Sequence, residues 1–375
     1  MSWEAAIERA TSHILPRVYE LLSAYPQVAE LRREVRRAKE EVVKNLDFYI
    51  EEFKKSVERV GGKFYFAEDA ETAVETVAKI VGRGKVVVMS KNNVAYETGL
   101  RPRLERDNEV WETDLGEFLI QLSQGQPSHI LAPALHITRE EAARILRERL
   151  GMAASTEPSD IARRAGEFLR MKFLKADVGI TGANALAADS GAVVLVENEG
   201  NIRLTTSLPP VHIVYDGVEK IMPTLTHAFM AAVVQSIYAG LYPPTYINIS
   251  AGPSSTADIE MARVSPAQGP REYHVVLVDN GRRAAARDPA LWQTLLCIRC
   301  GRCHLHCPVY RAAGPAFGKP PYTGPMGVLW TAVTKGIEAA GRAALMCTHA
   351  GSCKSVCPME IDIPEAIHYI KTRYL

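Results

Sequence analysis

The sequence predicts an α/β domain followed by a small helical module. Three observations carry that expectation. From about residue 61 to 290, short β-rich runs alternate with helical stretches, the pattern of a largely parallel or mixed sheet covered by helices. Before them, residues 1–58 place apolar side chains at three- and four-residue spacing, the periodicity of helices. After them, all seven cysteines fall between residues 297 and 357, with none earlier. The 375 residues suffice for one large domain and a small one, or for two medium domains. The division read from these patterns is a helical segment over 1–60, an α/β domain over 61–285 and a helical cysteine module over 286–375.

The elements follow in order. "LRREVRRAKEEVVKNLDFYIEEFKKSVERV" (31–60) mixes both charge signs and reads as helix with a solvated charged face. "GKVVVMS" (84–90) is a buried strand, "DLGEFLIQLSQ" (114–124) a helix and "HILAPAL" (129–135) a strand. "TREEAARILRERL" (138–150) opens on Thr138 with Glu141 three residues on, a capping box at a helix start. "SDIARRAGEFLRMKFLKA" (159–176) is a further helix, and "VGITGAN", "GAVVLVEN", "VHIVYDGV" and "YHVVLVDNG" are strands. "AFMAAVVQSIYAGLYP" (228–243) reads as a buried core helix, since it is too short and too interrupted to span a bilayer. "DNGRRAAARDPALWQTLLCI" (279–298) leads from the last strand into the cysteines. The Pro/Gly-rich "AAGPAFGKPPYTGPMG" (312–327) connects the two cysteine motifs.

Composition narrows the function classes. Apolar content of 47% and charged content of 23% are ordinary for a globular protein. A net charge of +1 gives no electrostatic case for nucleic acid or an anionic membrane as the main partner. The N-terminal stretch has early acidic residues and no long apolar core, so no signal peptide is read there. A cytoplasmic protein without a transmembrane segment is expected, one that could still dock on a peripheral membrane complex. Seven clustered thiols in such a chain point to metal rather than to a disulfide framework.

The first motif is Cys297-x2-Cys300-x2-Cys303-x3-Cys307-Pro308, the bacterial ferredoxin spacing. Its two-residue gaps let three thiolates converge on one cubane, while the fourth reaches a different cluster. Zinc would favour paired CxxC elements or histidine partners. In the second motif Cys347, Cys353 and Cys357-Pro358 align with the first, third and fourth cysteines, and Ala350 stands where the second would be. With the fourth cysteines crossing over, a 4Fe-4S cluster takes Cys297, Cys300, Cys303 and Cys357, and a second cluster takes Cys307, Cys347 and Cys353. Three thiolates suit a 3Fe-4S cluster. A 4Fe-4S cluster with His349, water or substrate as fourth ligand is the alternative, and a vestigial site the last. The C-x5-C-x3-C-P spacing resembles that around the three-iron cluster of succinate dehydrogenase and fumarate reductase iron–sulfur subunits. No cysteine here supplies their upstream two-iron motif.

The α/β region carries a second resemblance. "VVVMSKNNVAYETGL" (86–100), "EVWETDLGEFLIQLSQGQPSHILAPALHITREE" (109–141), "ITGANALAADSGAVVLVENEGNIRLTTSLPPVHIVYDGVEKIMPTL" (180–225), "GPSSTADIE" (252–260) and "CPVYRAAGPAFG" after the first motif resemble the lactate-utilization protein B family, from about residue 50 onward. The resemblance implies a LUD domain, similar in fold to the ribose-phosphate isomerase/CoA-transferase-like group, joined to a small α-helical ferredoxin-like domain with two clusters. It implies an electron-transfer role in a complex oxidising L-lactate to pyruvate, with a CCG-domain cysteine-rich protein and a second LUD protein as partners. Members of that family usually carry a complete second four-cysteine motif and a C-terminal extension; here Ala350 interrupts the motif and the sequence ends at Leu375.

The residues themselves suggest where the α/β domain could bind something. "TGANALAADSG" (181–191) is a glycine-containing turn whose backbone N–H groups, with Asn184, could hold a carboxylate or phosphate. "NEGNIRLTTSLPPVHI" (198–213) gathers Asn198, Glu199, Asn201, Arg203, Thr205 and Thr206 in one polar loop, where Arg203 could fork onto an anion. A solvated hairpin with Arg203 in an ion pair is the alternative. Asp189, Glu197, His212 and Asp258 are candidate acid–base groups, and Lys91, Asn92 and Glu97 follow a strand at the end where α/β folds place ligands. No GxGxxG or P-loop pattern is present, so no flavin or nicotinamide fingerprint accompanies the cysteines. Three functions compete: an electron relay in a 2-hydroxyacid-oxidising complex, an enzyme binding an acyl or nucleotide ligand at an open iron of the second cluster, and a docking module.

Overall fold

The computed structural model describes residues 3–375. Three helices open it: α1 Trp3–Ala24, α2 Val28–Lys44 and α3 Leu46–Arg59. In α3 the buried Leu46, Ile50, Phe53 and Val57 fall on one stripe at helical spacing, which fixes the face it turns to the core. Among the described residues twelve strands follow: β1 Lys63–Ala67, β2 Val86–Met89, β3 Glu109–Glu112, β4 Val178–Thr181, β5 Ala185–Ala187, β6 Ala192–Glu197, β7 Val211–Gly217, β8 Ile221–Met222, β9 Tyr246–Ser250, β10 Glu272–Val278, and the short antiparallel pair β11 Gly318–Lys319 and β12 Tyr322–Thr323 in the cysteine module.

Six strands form one parallel sheet in the order β1-β10-β7-β4-β2-β3. Helices cover parallel strands on both faces, so the strands read as unbroken apolar runs such as Val86–Met89 rather than as alternations. Four more form a smaller sheet, β8-β5-β6-β9, in which β5·β6 and β6·β9 are antiparallel. The mixed α/β class expected from the alternation is the class observed. Helix Arg139–Leu150 starts as expected, with the Thr138 hydroxyl accepting from Glu141 N (3.1 Å). Helix Pro158–Lys175 falls where the periodicity put it, and the core helix expected over 228–243 is present but spans Leu225–Tyr238.

The 181–191 stretch is not a plain turn, since its Ala185–Ala187 pair with β6 and β8 as strand β5, and three further local expectations fail. The 129–135 run is not a strand: Leu131 N and Ala132 N bond to His129 Nδ1, and Ser128 N bonds to Pro133 O. Its apolar residues are buried by packing against the cysteine module, which periodicity alone cannot distinguish from a sheet. The polar stretch after residue 198 is not a loop throughout. Its centre is helix Asn201–Ser207, because the Glu197 carboxylate accepts from Ile202 N (2.7 Å) and Arg203 N (3.1 Å) and caps the first turn. Thirdly, the charged face of α2 is not wholly solvated: Lys39 is buried and donates to Glu219 O (2.6 Å).

One hydrophobic core runs from α1 and α2 through the small sheet and helix Leu225–Tyr238 into the cysteine module. The N-terminal helices therefore pack directly on that module. Trp3 donates to Tyr310 O (3.0 Å) and meets its ring edge-on, and Arg32 donates to Pro358 O (3.1 Å) just after the last cysteine.

Gly217 ends β7 where no side chain fits. A Cβ there would lie 2.0 Å from Glu219 Oε2 and 2.4 Å from Arg282 Nε, both locked in a buried ion pair. Gly217→Ala is therefore expected to destabilise by about 1–3 kcal/mol. Gly166→Ala, in a helix interior with open space around it, should stabilise by about 0.5–1 kcal/mol. Denaturant titration of the two variants beside the parent checks both signs.

Candidate metal centre and adjoining cleft

The cysteines gather around two cavities. Cys297, Cys300, Cys303 and Cys357 line the first, together with Ile130, Met326, Met359 and Ile361. Cys307, Cys347 and Cys353 line the second, with Phe317, His349 and Ala350. The last cysteine of each motif thus faces the cavity of the other motif. None of the seven is in a disulfide.

The two loops share a backbone. Arg299 and His349, each two residues after the first cysteine of its motif, have φ of 58° and 56°. Gly301 and Gly351, two residues further, have φ of 75° and 77°. These left-handed positions let the loop curl around its cavity. Losing the cysteine at Ala350 has not changed that curl. The first cavity is internal: α2 covers it through Arg32 and Arg36, which donate to Pro358 O and Met359 O. The second lies near the surface, where Thr348, His349 and Ala350 are exposed. The His349 ring packs edge-on against His368 (5.5 Å between centroids).

Donor chemistry tests whether these cavities fit iron–sulfur clusters. Burial pushes the Cys300 and Cys353 thiols up to about 12 and Cys357 to about 11, and holds Cys303 well above the usual thiol range. Thiolates in such places need a nearby cation, which cluster iron supplies. Backbone N–H groups already address the sulfurs: Arg299 N to Cys297 Sγ (3.3 Å) and Tyr310 N to Cys307 Sγ (3.5 Å). Donors of this kind stabilise the reduced cluster and tune its potential. The residues fit.

A buried charge network ties the first cysteine loop to the α/β domain. Arg282, fully buried, pairs with Glu97 (2.7 Å) and Glu219 (2.6 Å). Arg299, inside the first motif, pairs with the other oxygen of Glu219. Tyr322 donates to Glu97 (2.6 Å), and both guanidinium groups lie over the Trp330 ring. Burial alone would raise the Glu219 carboxyl; Arg282, Arg299 and Lys220 instead hold it down to about 2.

Beside this network a cleft of about 1100 Å³, open mouth included, lies at the carboxyl ends of β2, β4 and β7. Ser90, Lys91 and Asn92 follow β2, Gly182–Asn184 follow β4, and Asp216 is the last residue but one of β7. Ligands in open α/β sheets bind at such strand ends. Ile130 and Arg299 line both this cleft and the first cysteine cavity.

The candidates divide accordingly. Lys91, Asn92, Asn184, Glu197, Asn198, Glu199 and Asn201 line the cleft. Asn92 caps helix Asn93–Thr98, and Asn184 donates to Gln235 (2.6 Å) and accepts from Val196 N (2.9 Å), so both also hold structure. Glu199 is exposed at the rim, yet burial of its carboxyl end and the Asp114 charge push it up to about 7. Arg203 does not face the cleft; its guanidinium stacks on Tyr246 (4.4 Å), because position 203 falls on the outer side of an unexpected helix. Thr205 donates to Asn201 O within that helix, and Thr206 accepts from Asn248 (3.1 Å). His212 is buried against Thr181 (2.9 Å), its imidazole pushed down to about 3 by burial. Asp189 bonds Leu225 N, Asp258 pairs with Thr256 on an exposed loop, and Glu97 belongs to the ion network. Sequence reasoning missed Ser90, Asp114, Asp216, Lys220 and Arg299. Only Arg299 carried a signal, as a charged residue inside a cluster motif.

Comparison with known proteins agrees with this anatomy. Residues 50–278 match the LUD domain and residues 293–361 the 4Fe-4S dicluster domain. The chain is a LUD-domain protein with a C-terminal iron–sulfur domain. It is 34% identical over 367 residues to lactate utilization protein B from Bacillus licheniformis, covering 96% of this chain and 75% of that one. It is 35% identical over 353 residues to lactate utilization protein B from Bacillus subtilis, covering 93% and 71%. It belongs to the lactate utilization protein B family. A crystal structure of a DUF162 family protein from Deinococcus radiodurans is similar over 62% of this chain and 97% of that one, at 14% identity and a TM-score of 0.32. Among the described residues, no helix is long and apolar enough to cross a membrane.

Replacing Arg282 by Met takes the only arginine from the buried Glu97 carboxylate and leaves Glu219 with Arg299 alone, and is expected to cost about 3–5 kcal/mol. Removing Arg163, which pairs with Asp160 and Glu167 on the surface, should cost under about 1 kcal/mol. Equilibrium unfolding of the two variants measures the contrast.

Proposed function

We propose that this chain is the iron–sulfur electron-transfer subunit of a complex oxidising L-lactate, or a related 2-hydroxy acid, to the 2-keto acid. A CCG-domain cysteine-rich protein and a second LUD protein are its proposed partners. One observation carries the reading: Ile130 and Arg299 form a wall shared by the strand-end cleft and the first cysteine cavity. A molecule in the cleft lies next to the first cluster. The second cavity lies toward the surface, where a partner can reach it.

Each half of the chain has a part in this. Cys297, Cys300, Cys303 and Cys357 hold a 4Fe-4S cluster, and Cys307, Cys347 and Cys353 hold a second, three-iron cluster. Clusters so held supply one-electron transfer, and two match the two electrons that a 2-hydroxy acid gives up. The protein orients the donor in the cleft, keeps the first site away from solvent under α2, and leaves the second near solvent. The competing reading, a substrate bound at an open iron beside Ala350, gains no support: the cleft and the second cavity share no lining residue. His349 as a fourth ligand is disfavoured by its packing on His368.

The anaerobically purified protein is expected to contain about seven irons and to give a near-isotropic paramagnetic resonance signal when oxidised. Ala350→Cys should raise the count to about eight and abolish that signal. A count of about eight in the parent, with no oxidised signal, would contradict the three-iron assignment. Lactate should reduce the clusters only when the partners are present; turnover by the isolated subunit with an artificial acceptor would overturn the relay.

A further inference from the structure

The cleft's hydrogen-bonding groups are unevenly used. Its carboxylates already accept from backbone N–H groups: Asp114 from Gly116 and Glu117, Glu197 from Ile202 and Arg203, Asp216 from Ala183 and Gly217, and Glu199 from Leu115. Its donors are left over. Ser90 Oγ and Arg299 Nε have no hydrogen-bond partner among the described residues, although the two side chains are 1% and 4% exposed. An unpartnered buried donor costs about 1–3 kcal/mol, so these two call for an acceptor. Lys91 and Lys220 each give one proton to a backbone carbonyl, of Leu131 and Ala183, out of the three an ammonium carries.

The leftover groups select a ligand class. Free donors want the oxygens of an anion. Four carboxylates in the same cleft repel a multiply charged one and favour a ligand that also offers an O–H. A small monocarboxylate with a 2-hydroxyl meets both conditions, and the corresponding 2-oxo acid meets the first.

We infer that Arg299 couples this cleft to the first cluster: a small 2-hydroxy or 2-oxo carboxylate binds between Ser90 and Arg299, and its binding is linked to the oxidation state of the cluster behind that guanidinium. The inference rests on the relay reading for its choice of substrate class, but not for the linkage. Arg299 lines both spaces, its backbone N–H donates to Cys297 Sγ, and its charge is desolvated, so screening by solvent is weak. An anion placed against Arg299 offsets its positive charge. Reduction adds a negative charge on the other side of the same group. Each event therefore disfavours the other, and linkage makes the effect reciprocal.

The test is calorimetric titration of the anaerobic holoprotein, oxidised and dithionite-reduced, with L-lactate, pyruvate, acetate and inorganic phosphate. Lactate and pyruvate are expected to bind the oxidised form about tenfold more tightly, within the usual range of site–site coupling. Phosphate should bind neither form. In a potentiometric titration followed by paramagnetic resonance, saturating pyruvate should lower the midpoint of the first cluster by about 59 mV, the one-electron equivalent of tenfold, and leave the second unmoved. Ser90→Ala should weaken binding at least about fivefold without moving either midpoint of the unliganded protein. Arg299→Lys should abolish the preference for the oxidised form while keeping a cation in place. Should that variant fail to retain its first cluster, the wild-type linkage and Ser90→Ala decide. Equal affinity in both states, equal shifts of both clusters, or phosphate binding as tightly as lactate would overturn the inference. None of these depends on the partners, so the relay reading could stand with this inference gone.

Discussion

The structure depends most on the carboxylate of Glu219. It sits between Arg282, which belongs to the α/β domain, and Arg299, which belongs to the first cysteine loop. Two buried arginines and two buried glutamates balance, and the aromatic faces of Trp330 and Tyr322 pack against the cations. Such a network is costly to desolvate and costly to break, which makes it a better device for fixing one arrangement than for adding stability. Here the arrangement it fixes is the position of a cluster loop against the end of a sheet. Gly217 belongs to the same constraint, since only a residue without Cβ lets β7 pass the ion pair.

From that fixed junction the rest follows. The parallel sheet ends in a cleft because its strands run the same way and their carboxyl ends share one rim. The cysteine module closes one side of the rim through Arg299, with Ile130 beside it. The N-terminal helices, continuous with the module's own core, keep the first cysteine cavity away from water. Water exclusion matters to electron transfer because it leaves the charges of Arg299, Lys39 and Lys220 unscreened around the first site. The second site, lacking one thiol and lying near solvent, has a different environment, so the two sites differ in both ligands and surroundings.

Much of this was legible in the sequence. Close cysteine spacing let three thiols of the first motif converge, and the two-cluster ferredoxin arrangement supplied the crossing of the fourth cysteines that the two cavities show. Short unbroken apolar runs, set between helical stretches, marked the parallel strands. The cleft was half legible: Lys91, Asn92, Asn184 and Glu199 line it, and Lys91 and Asn92 were placed by strand-end position alone. Arg203 was misplaced because the Glu197 cap turns residues 201–207 into a helix, a long-range consequence of where β6 ends. The 129–135 run was misread because burial by a distant module looks like burial in a sheet. Ser90 and Lys220 were invisible as site residues, and Arg299 showed only as a charge inside a cluster motif, because the three come together only when the cysteine loop docks on the sheet.

The central claim is that electrons enter at the cleft and reach the first cluster before the second. The most direct measurement is freeze-quench paramagnetic resonance of the assembled, oxidised complex mixed anaerobically with L-lactate. The account predicts that the reduced four-iron signal of the first site rises before the oxidised three-iron signal of the second decays. Loss of the second-site signal first, with the four-iron site still oxidised, would contradict it.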